Sequence, residues 1–257
     1  MYVTDAVDFY LDKVAPNRLK PRTLVVTQST LRTWRRELGP KTKLEKVTTG
    51  KILMVRDNYR EPATANRMIS VLSSLMDAAV EREWIADNPC RRIKSLRVDN
   101  SDTGKHISEQ DEATLKAAAH KLDPKLYTLL CLAFESGARL SELEELTPDV
   151  VDLEARQMTF LTTKNSSVRH VPISQGMADH IRVHGLPGKM NRWRWSKVVA
   201  ELDYPVRFHD IRHTMISRAL ARGVPIAVVG KMVGHKTLAM TVRYQHVNVD
   251  ELRFIVE

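Results

Sequence analysis

The chain has 257 residues, with 40 Lys and Arg against 31 Asp and Glu, a formal charge of +9, and 43% hydrophobic residues. This is enough chain for one large domain or two modest ones. No apolar stretch approaches the roughly 20 residues needed to cross a bilayer. The opening MYVTDAVDFYLDKV mixes acids into its apolar residues, unlike a signal peptide, and Cys90 and Cys131 have neither disulfide nor metal-site spacing. A soluble, cytoplasmic protein is expected, with no membrane association.

The positive excess is uneven. Residues 1–106 hold 20 basic and 13 acidic side chains (+7), whereas residues 107–257 hold 20 and 18 (+2). A basic half joined to a nearly neutral half suits a DNA-gripping module attached to a chemical one; a merely soluble basic protein satisfies the charge alone equally well.

In chain order, the first half reads as successive helices: Thr4–Val14, then Pro21 to Leu38 closed by Gly39-Pro40, then Thr48–Tyr59, then Pro62 to about Glu83. In the last of these, Met68, Leu72, Leu75, Met76 and Ala79 fall at helical spacing, and Asn88-Pro89 breaks the pattern. Arg32, Arg35, Arg36 and Arg67 are candidate phosphate contacts, although for any one of them a solvated helix face is the favoured reading. Residues 95–106 are polar and aperiodic and read as a linker. This divides the chain into a helical DNA-binding domain (1–94), a linker (95–106) and a second domain (107–257).

The second domain opens at Ser108-Glu109-Gln110-Asp111, a helix N-cap signature. An apolar helix follows from about Pro124 to Ser136, closed by Gly137, with Cys131 expected in its core. Three strands, Val150–Leu153, Gln157–Thr162 and Val168–Ile173, suggest a small antiparallel sheet, and helices return after Pro172. The fold class is therefore mainly α with a small antiparallel sheet, in two domains: one all-helical, the other α+β.

Four segments carry chemistry: Ser136-Gly137-Ala138-Arg139-Leu140-Ser141-Glu142-Leu143, Thr163-Lys164-Asn165 at a strand turn, His209-Asp210-Ile211-Arg212-His213-Thr214, and Gly234-His235 followed nine positions later by Tyr244. Attack of a side-chain hydroxyl on a phosphodiester spreads negative charge over a phosphorane. Guanidinium groups neutralise it best, being always charged and able to bind two oxygens. A flexible lysine suits protonation of the leaving oxygen. A tyrosine nucleophile must lose its proton as it attacks. Two arginines, a lysine, histidines and a tyrosine meet these needs with no metal and no cofactor.

Together these segments resemble the signature boxes of the tyrosine recombinase (phage integrase) family, over about residues 107–250 and more weakly over the helical first half. The resemblance implies six catalytic residues: Arg139 and Arg212 holding the scissile phosphate, Lys164 as general acid, His209 as proton acceptor or positioner near Tyr244, His235 as hydrogen-bond donor, and Tyr244 as nucleophile. Glu142 is implied to orient Arg139. It further implies a 3′-phosphotyrosyl intermediate, a Holliday junction, and double-stranded DNA with core-type recombination sites as substrate. A homo-tetramer on DNA is implied, with room for accessory DNA-bending or directionality factors. The tail Val249–Val256 is expected to dock on a neighbouring protomer. Leu146-Thr147-Pro148-Asp149 departs from the Leu-Arg-Trp common in the family, outside the catalytic set. The start of the chain leaves no room for an arm-binding domain, which suggests a short integrase, with a Xer-like resolvase or an inactive DNA-binding regulator as alternatives.

Other residues are expected in plainer roles. His213 packs or hydrogen-bonds along its own helix, and Asp210 caps it. Arg169, a candidate DNA contact, and His170 are expected on an exposed strand surface. At least one of Trp193 and Trp195 belongs to the core. The run H-D-x-x-H at 209–213 approaches the H-E-x-x-H of zinc proteases, but that reading leaves Arg139, Lys164 and the His–Tyr spacing unexplained. A type IB topoisomerase would share the chemistry, but the compact boxes and the tail favour a recombinase.

Overall fold

The computed structural model describes residues 1–98, 105–162 and 167–244, with backbone only at 162 and 167. The turn carrying Lys164, the tail Val249–Val256 and most of the expected linker lie outside the described residues. Backbone proximity divides the chain into two units, Met1–Asp99 and Asn100–Glu257.

The first unit is helical. α1 (Val3–Phe9) runs into a wider π-helical stretch, Tyr10–Val14, and then α2 (Ala15–Arg18). The widening ends two positions before Pro16, whose ring nitrogen has no hydrogen to donate. α3 (Pro21–Leu38) starts with proline at its first position and stops at Gly39, which takes φ +87°. α4 (Thr49–Arg56) is capped by Thr48, whose hydroxyl accepts from the Lys51 N–H at 3.3 Å. α5 (Pro62–Val80) ends three residues short of the sequence expectation, and Glu83 turns the chain at φ +58°. Leu31, Trp34 and Leu38 on α3 pack with Leu72, Leu75 and Met76 on α5, and Trp34 Nε1 donates to the Met68 carbonyl at 2.9 Å. Arg32 and Arg67 are exposed, whereas Arg35 pairs with Asp8 at 3.1 Å and Arg36 with Glu37 at 2.8 Å.

The second unit is tied at its entry. Ile107 is buried, its N–H donates to Thr214 Oγ1 at 2.9 Å, and its carbonyl accepts from Arg218 Nη2 at 2.7 Å. α6 (Glu109–Leu122) is capped by Ser108, as its sequence implies. α7 (Pro124–Ser136) is apolar almost all round and forms the centre of the core, with Cys131 inside it. The short α8 (Leu140–Glu144) follows. Three antiparallel strands come next in the order β1 (Val151–Asp152), β2 (Gln157–Thr162) and β3 (Ser167–Pro172), with Phe160 opposite Arg169. Met158 and Phe160 on β2, and Val171 on β3, point into the core. The helices α9 (Gln175–His184), α10 (Arg192–Val199), α11 (Phe208–Ala221), α12 (Ile226–Val233) and α13 (Ala239–Val242) complete the unit. Trp195 packs edge-on against Phe208 while Trp193 is exposed, so one of the two tryptophans joins the core. No described helix is long and apolar enough to cross a membrane.

Candidate active site

Two glycine turns frame the site. α7 ends at Gly137 (φ +59°) and α12 at Gly234 (φ +69°), both left-handed. A helix C-terminus leaves carbonyls without intrahelical donors, and here arginines supply them. Arg212, on α11 and 3% exposed, donates from Nη1 to the Gly137 carbonyl and from Nη2 to the Val233 carbonyl, each at 2.7 Å. Arg139, the N-cap of α8, reaches the Gly234 carbonyl at 3.4 Å. Both guanidinium groups are thus drawn to the same turn after α12, through residues 73 positions apart. Burial, and then the nearby Arg139 charge, push Arg212 down to about 10, still a cation at neutral pH.

Glu142 orients Arg139, accepting its backbone N–H at 2.7 Å and its Nη1 at 3.1 Å. A second cation completes the pair. Arg169 donates to both Glu142 oxygens at 3.1 and 2.8 Å, donates from Nε to the Met232 carbonyl at 3.1 Å, and lies 4.4 Å over the Phe160 ring. At 7% exposure it is not the surface DNA contact expected of it. Strand alternation explains the correction: Arg169 and Val171 share the inward face of β3, while Val168 and exposed His170 face out. Burial alone would raise the Glu142 carboxyl, but the Arg169 and Arg139 hydrogen bonds and charges outweigh it and hold the group below its ordinary range.

His235 follows Gly234. Its N–H donates to the Gly230 carbonyl at 2.9 Å, and Nδ1 lies 2.8 Å from Thr241 Oγ1. Gly230 is required there, because a β-carbon would come within 2.9 Å of that hydroxyl. Burial, with Arg212 and Arg139 behind it, pushes His235 down to about 4, so the ring is neutral at pH 7.

Tyr244 is buried among Met215, Ile216, Val229 and Val233. Burial raises its phenol, against the opposing effect of Arg212 and Arg243. The residue that meets it is His213. His213 Nδ1 and Tyr244 Oη share a hydrogen bond, and the rings stack with centroids 5.4 Å apart. The expectation that His213 packs or hydrogen-bonds along its own helix is therefore corrected, and it is His213 rather than His209 that adjoins the Tyr244 hydroxyl. His209, at the exposed start of α11, stands edge-on to His213 at 4.6 Å; partial burial and then Arg212 and Arg139 lower it. The one sequence clue to His213 was its four-residue step from His209, which puts both on one helix face. Asp210 accepts the Arg207 N–H at 2.8 Å and so closes the helix start, as expected. Among the described residues no group of three or more His, Cys, Asp or Glu could hold a metal ion.

Arg139, Glu142, Arg212, His235 and Tyr244 thus converge on the turns around α11 and α12, with His209 at the rim. Comparison with known proteins agrees with this fold. The phage integrase family pattern matches residues 189–251. The integrase of Escherichia phage P2 is 28% identical over 72% of the chain and 56% of that protein. The integrase of Haemophilus phage HP1 is 28% identical over 77% and 60%. The chain thus spans less than two thirds of the length of these phage integrases. The tyrosine recombinase XerC of Psychromonas ingrahamii is 24% identical over 98% of the chain and 94% of that protein. In fold, the chain is similar to residues 75–356 of lambda integrase solved as a dimer on a core site, with TM-score 0.80, 18% identity and 96% of each chain covered. It is also similar to the Tn1549 transposon integrase solved with circular intermediate DNA, with TM-score 0.75, 18% identity, and 100% and 99% covered. The fold is that of these two integrases. The chain is similar to the tyrosine recombinases of the phage integrase family.

Proposed function

We propose that the chain is a site-specific DNA recombinase that cleaves and rejoins double-stranded DNA through a 3′-phosphotyrosyl link to Tyr244. The observation that carries this reading is the tethering of Arg139 and Arg212 to one glycine turn, whose next residue is His235 and whose following helix leads to Tyr244. Guanidinium groups held in advance cost no reorganisation when charge develops on the phosphorane. Two of the five N–H donors of Arg212 go to carbonyls, and a phosphate is the natural acceptor for donors that remain. With His235 neutral and its Nδ1 accepting from Thr241, Nε2–H becomes a donor to a non-bridging oxygen. Lys164 serves as the acid for the leaving 5′ oxygen. The phosphotyrosine keeps the bond energy, so no ATP or other cofactor is needed. The freed 5′ hydroxyl of the partner strand reverses the step and yields a Holliday junction.

In this reading residues 1–94 grip core-type sites, residues 107–257 do the chemistry, and four protomers assemble on two DNA sites with their C-terminal tails exchanged. Integration is one outcome of this chemistry. One observation favours a Xer-like resolvase with the same chemistry, namely that the XerC match spans nearly the whole of both chains. Paired plasmids with sites on one or two circles separate these outcomes.

The test begins with selection of bound duplexes from a random pool. A nicked version of the recovered site should trap a protein–DNA adduct resistant to denaturant. Tyr244→Phe should abolish that adduct and leave binding intact; an adduct that persists overturns the assignment.

A further inference from the structure

A tyrosine hydroxyl cannot attack phosphorus and keep its proton, so some group at the site must receive it. Three histidines stand near Tyr244, and the structure distinguishes them. His235 stacks at 6.3 Å between centroids, but its Nδ1 is engaged with Thr241 Oγ1. His209 makes its ring contact with His213 rather than with the tyrosine. His213 alone among them is hydrogen-bonded to Oη, with its ring only 29° from the plane of the phenol.

The imidazole is also held on a firm element. The residue before it, Arg212, is pinned to the carbonyls of Gly137 and Val233. The residue after it, Thr214, is fully buried, donates to the Asp210 carbonyl at 2.9 Å, and accepts from the Ile107 N–H. Rigid placement on a helix is what proton transfer within a reaction step requires.

We propose that His213 is a catalytic residue, the proton acceptor for Tyr244 during strand cleavage; the inference rests on Tyr244 being the nucleophile. In the step, the Oη–H bond breaks and its proton passes to His213 Nδ1. The freed electron pair of Oη forms the bond to phosphorus. The bond from phosphorus to the 5′ oxygen breaks, and that oxygen takes its proton from a separate donor, Lys164. In the religation step a 5′ hydroxyl gives its proton back to the donor used in cleavage, its oxygen bonds to phosphorus, and His213 returns its proton to Oη as the phosphotyrosyl bond breaks.

Electrostatics suit this role. The groups facing His213 are His209, Asp210, Arg207 and Arg212 from α11 and its cap, and Tyr244 beyond α13. Burial, then the neighbouring His209, push the imidazole down to about 4, so it stands deprotonated at neutral pH. A bound phosphate brings negative charge to the guanidinium groups that oppose protonation, and so raises the affinity of the ring for a proton. The base gains strength when substrate arrives.

Two experiments test this. The first uses the intact chain without DNA: nitrogen-15 shifts of the His213 ring should report Nδ1 unprotonated and Nε2 protonated. A protonated Nδ1 overturns the proposal, since the hydroxyl would then be the acceptor. The second measures single-turnover adduct formation on the nicked, selected duplex. His213→Gln should slow it by about 10²–10³-fold with DNA affinity unchanged. Replacing Tyr244 by trifluorotyrosine, whose phenol ionises near neutral pH, should restore most of that loss, because an ionised nucleophile needs no acceptor. Cleavage by His213→Gln at or above the parental rate overturns the proposal. A slow variant that the fluorinated tyrosine does not restore also overturns it, in favour of a structural role. Failure of the wider reading looks different: the unaltered chain forms no adduct, or the adduct survives Tyr244→Phe.

Discussion

At Gly137 and Gly234 the backbone is left-handed and the space for a methyl group is already filled. A β-carbon on Gly137 would stand 2.2 Å from Met215 Cε, and one on Gly234 would stand 2.8 Å from Arg169 Nη1. Left-handed backbone alone costs an L-residue about 1–2 kcal/mol. Gly137→Ala adds a clash inside the core, so it should lower stability by roughly 2–4 kcal/mol, read as a fall in Tm. Gly234→Ala presses on a guanidinium that can shift. It should cost about 1–2 kcal/mol and displace Arg169 from Glu142, which slows adduct formation beyond what the stability loss explains. Arg169 itself is the sharper test. Arg169→Gln leaves the partly buried Glu142 short of its main partner, and breaking such a pair costs about 3–5 kcal/mol when burial is complete. Glu142 keeps its Arg139 contacts, so about 2–3 kcal/mol is expected, measured by urea denaturation. A change within experimental error would show that the pair contributes nothing.

Helix α11 concentrates the residues of the proposed chemistry, with His209, Arg212 and His213 within two turns and Asp210 closing its start. This clustering makes the second unit sensitive to acid. His209, His213 and His235 all sit below the ordinary histidine value, the latter two at about 4. An unfolded chain takes up protons near pH ~6.5, where the folded chain does not. The contribution of these histidines is therefore fully present above pH ~6.5 and declines as pH falls toward ~4. Tm should drop across that window, and His213→Gln with His235→Gln should flatten the decline. Glu142, held low, adds a loss only at lower pH, as its carboxyl protonates. An unchanged slope in the double variant would place the acid sensitivity elsewhere.

Elements of this kind were largely readable in the sequence, because their signals are local. Pro21, Gly39, Thr48, Ser108 and Gly137 mark helix ends through φ limits and caps that act within a few residues. The boxes were legible as spacings. What stayed hidden was pairing across distance. The bond between His213 and Tyr244 joins residues 31 apart, and that between Arg169 and Glu142 joins residues 27 apart. Strand alternation was there to be read in Val168-Arg169-His170-Val171, but a charged residue at an inward position resembles a surface one until its carboxylate partner is known.

For the whole molecule, the distribution of charge makes the last prediction. Residues 1–106 carry +7 of the total +9, and proteins that neutralise DNA phosphates lose affinity linearly in log salt, by about 0.9 in slope per phosphate contact. The exposed arginines of the first unit are not equivalent. Arg35 and Arg36 already have carboxylate partners in Asp8 and Glu37, so part of their charge is spent within the protein. Arg32 and Arg67 are exposed, and no ion pair to either appears among the described residues. If both meet the backbone, Arg32→Ala and Arg67→Ala should each reduce the salt slope of binding by about 1. Arg35→Ala and Arg36→Ala should change it less, and Arg169→Gln should leave it unchanged, because a buried guanidinium releases no counterion from DNA. Titrations of one duplex at several salt concentrations measure all five variants together. A slope lowered by Arg169→Gln but not by Arg32→Ala or Arg67→Ala would reverse the assignment of which arginines grip DNA.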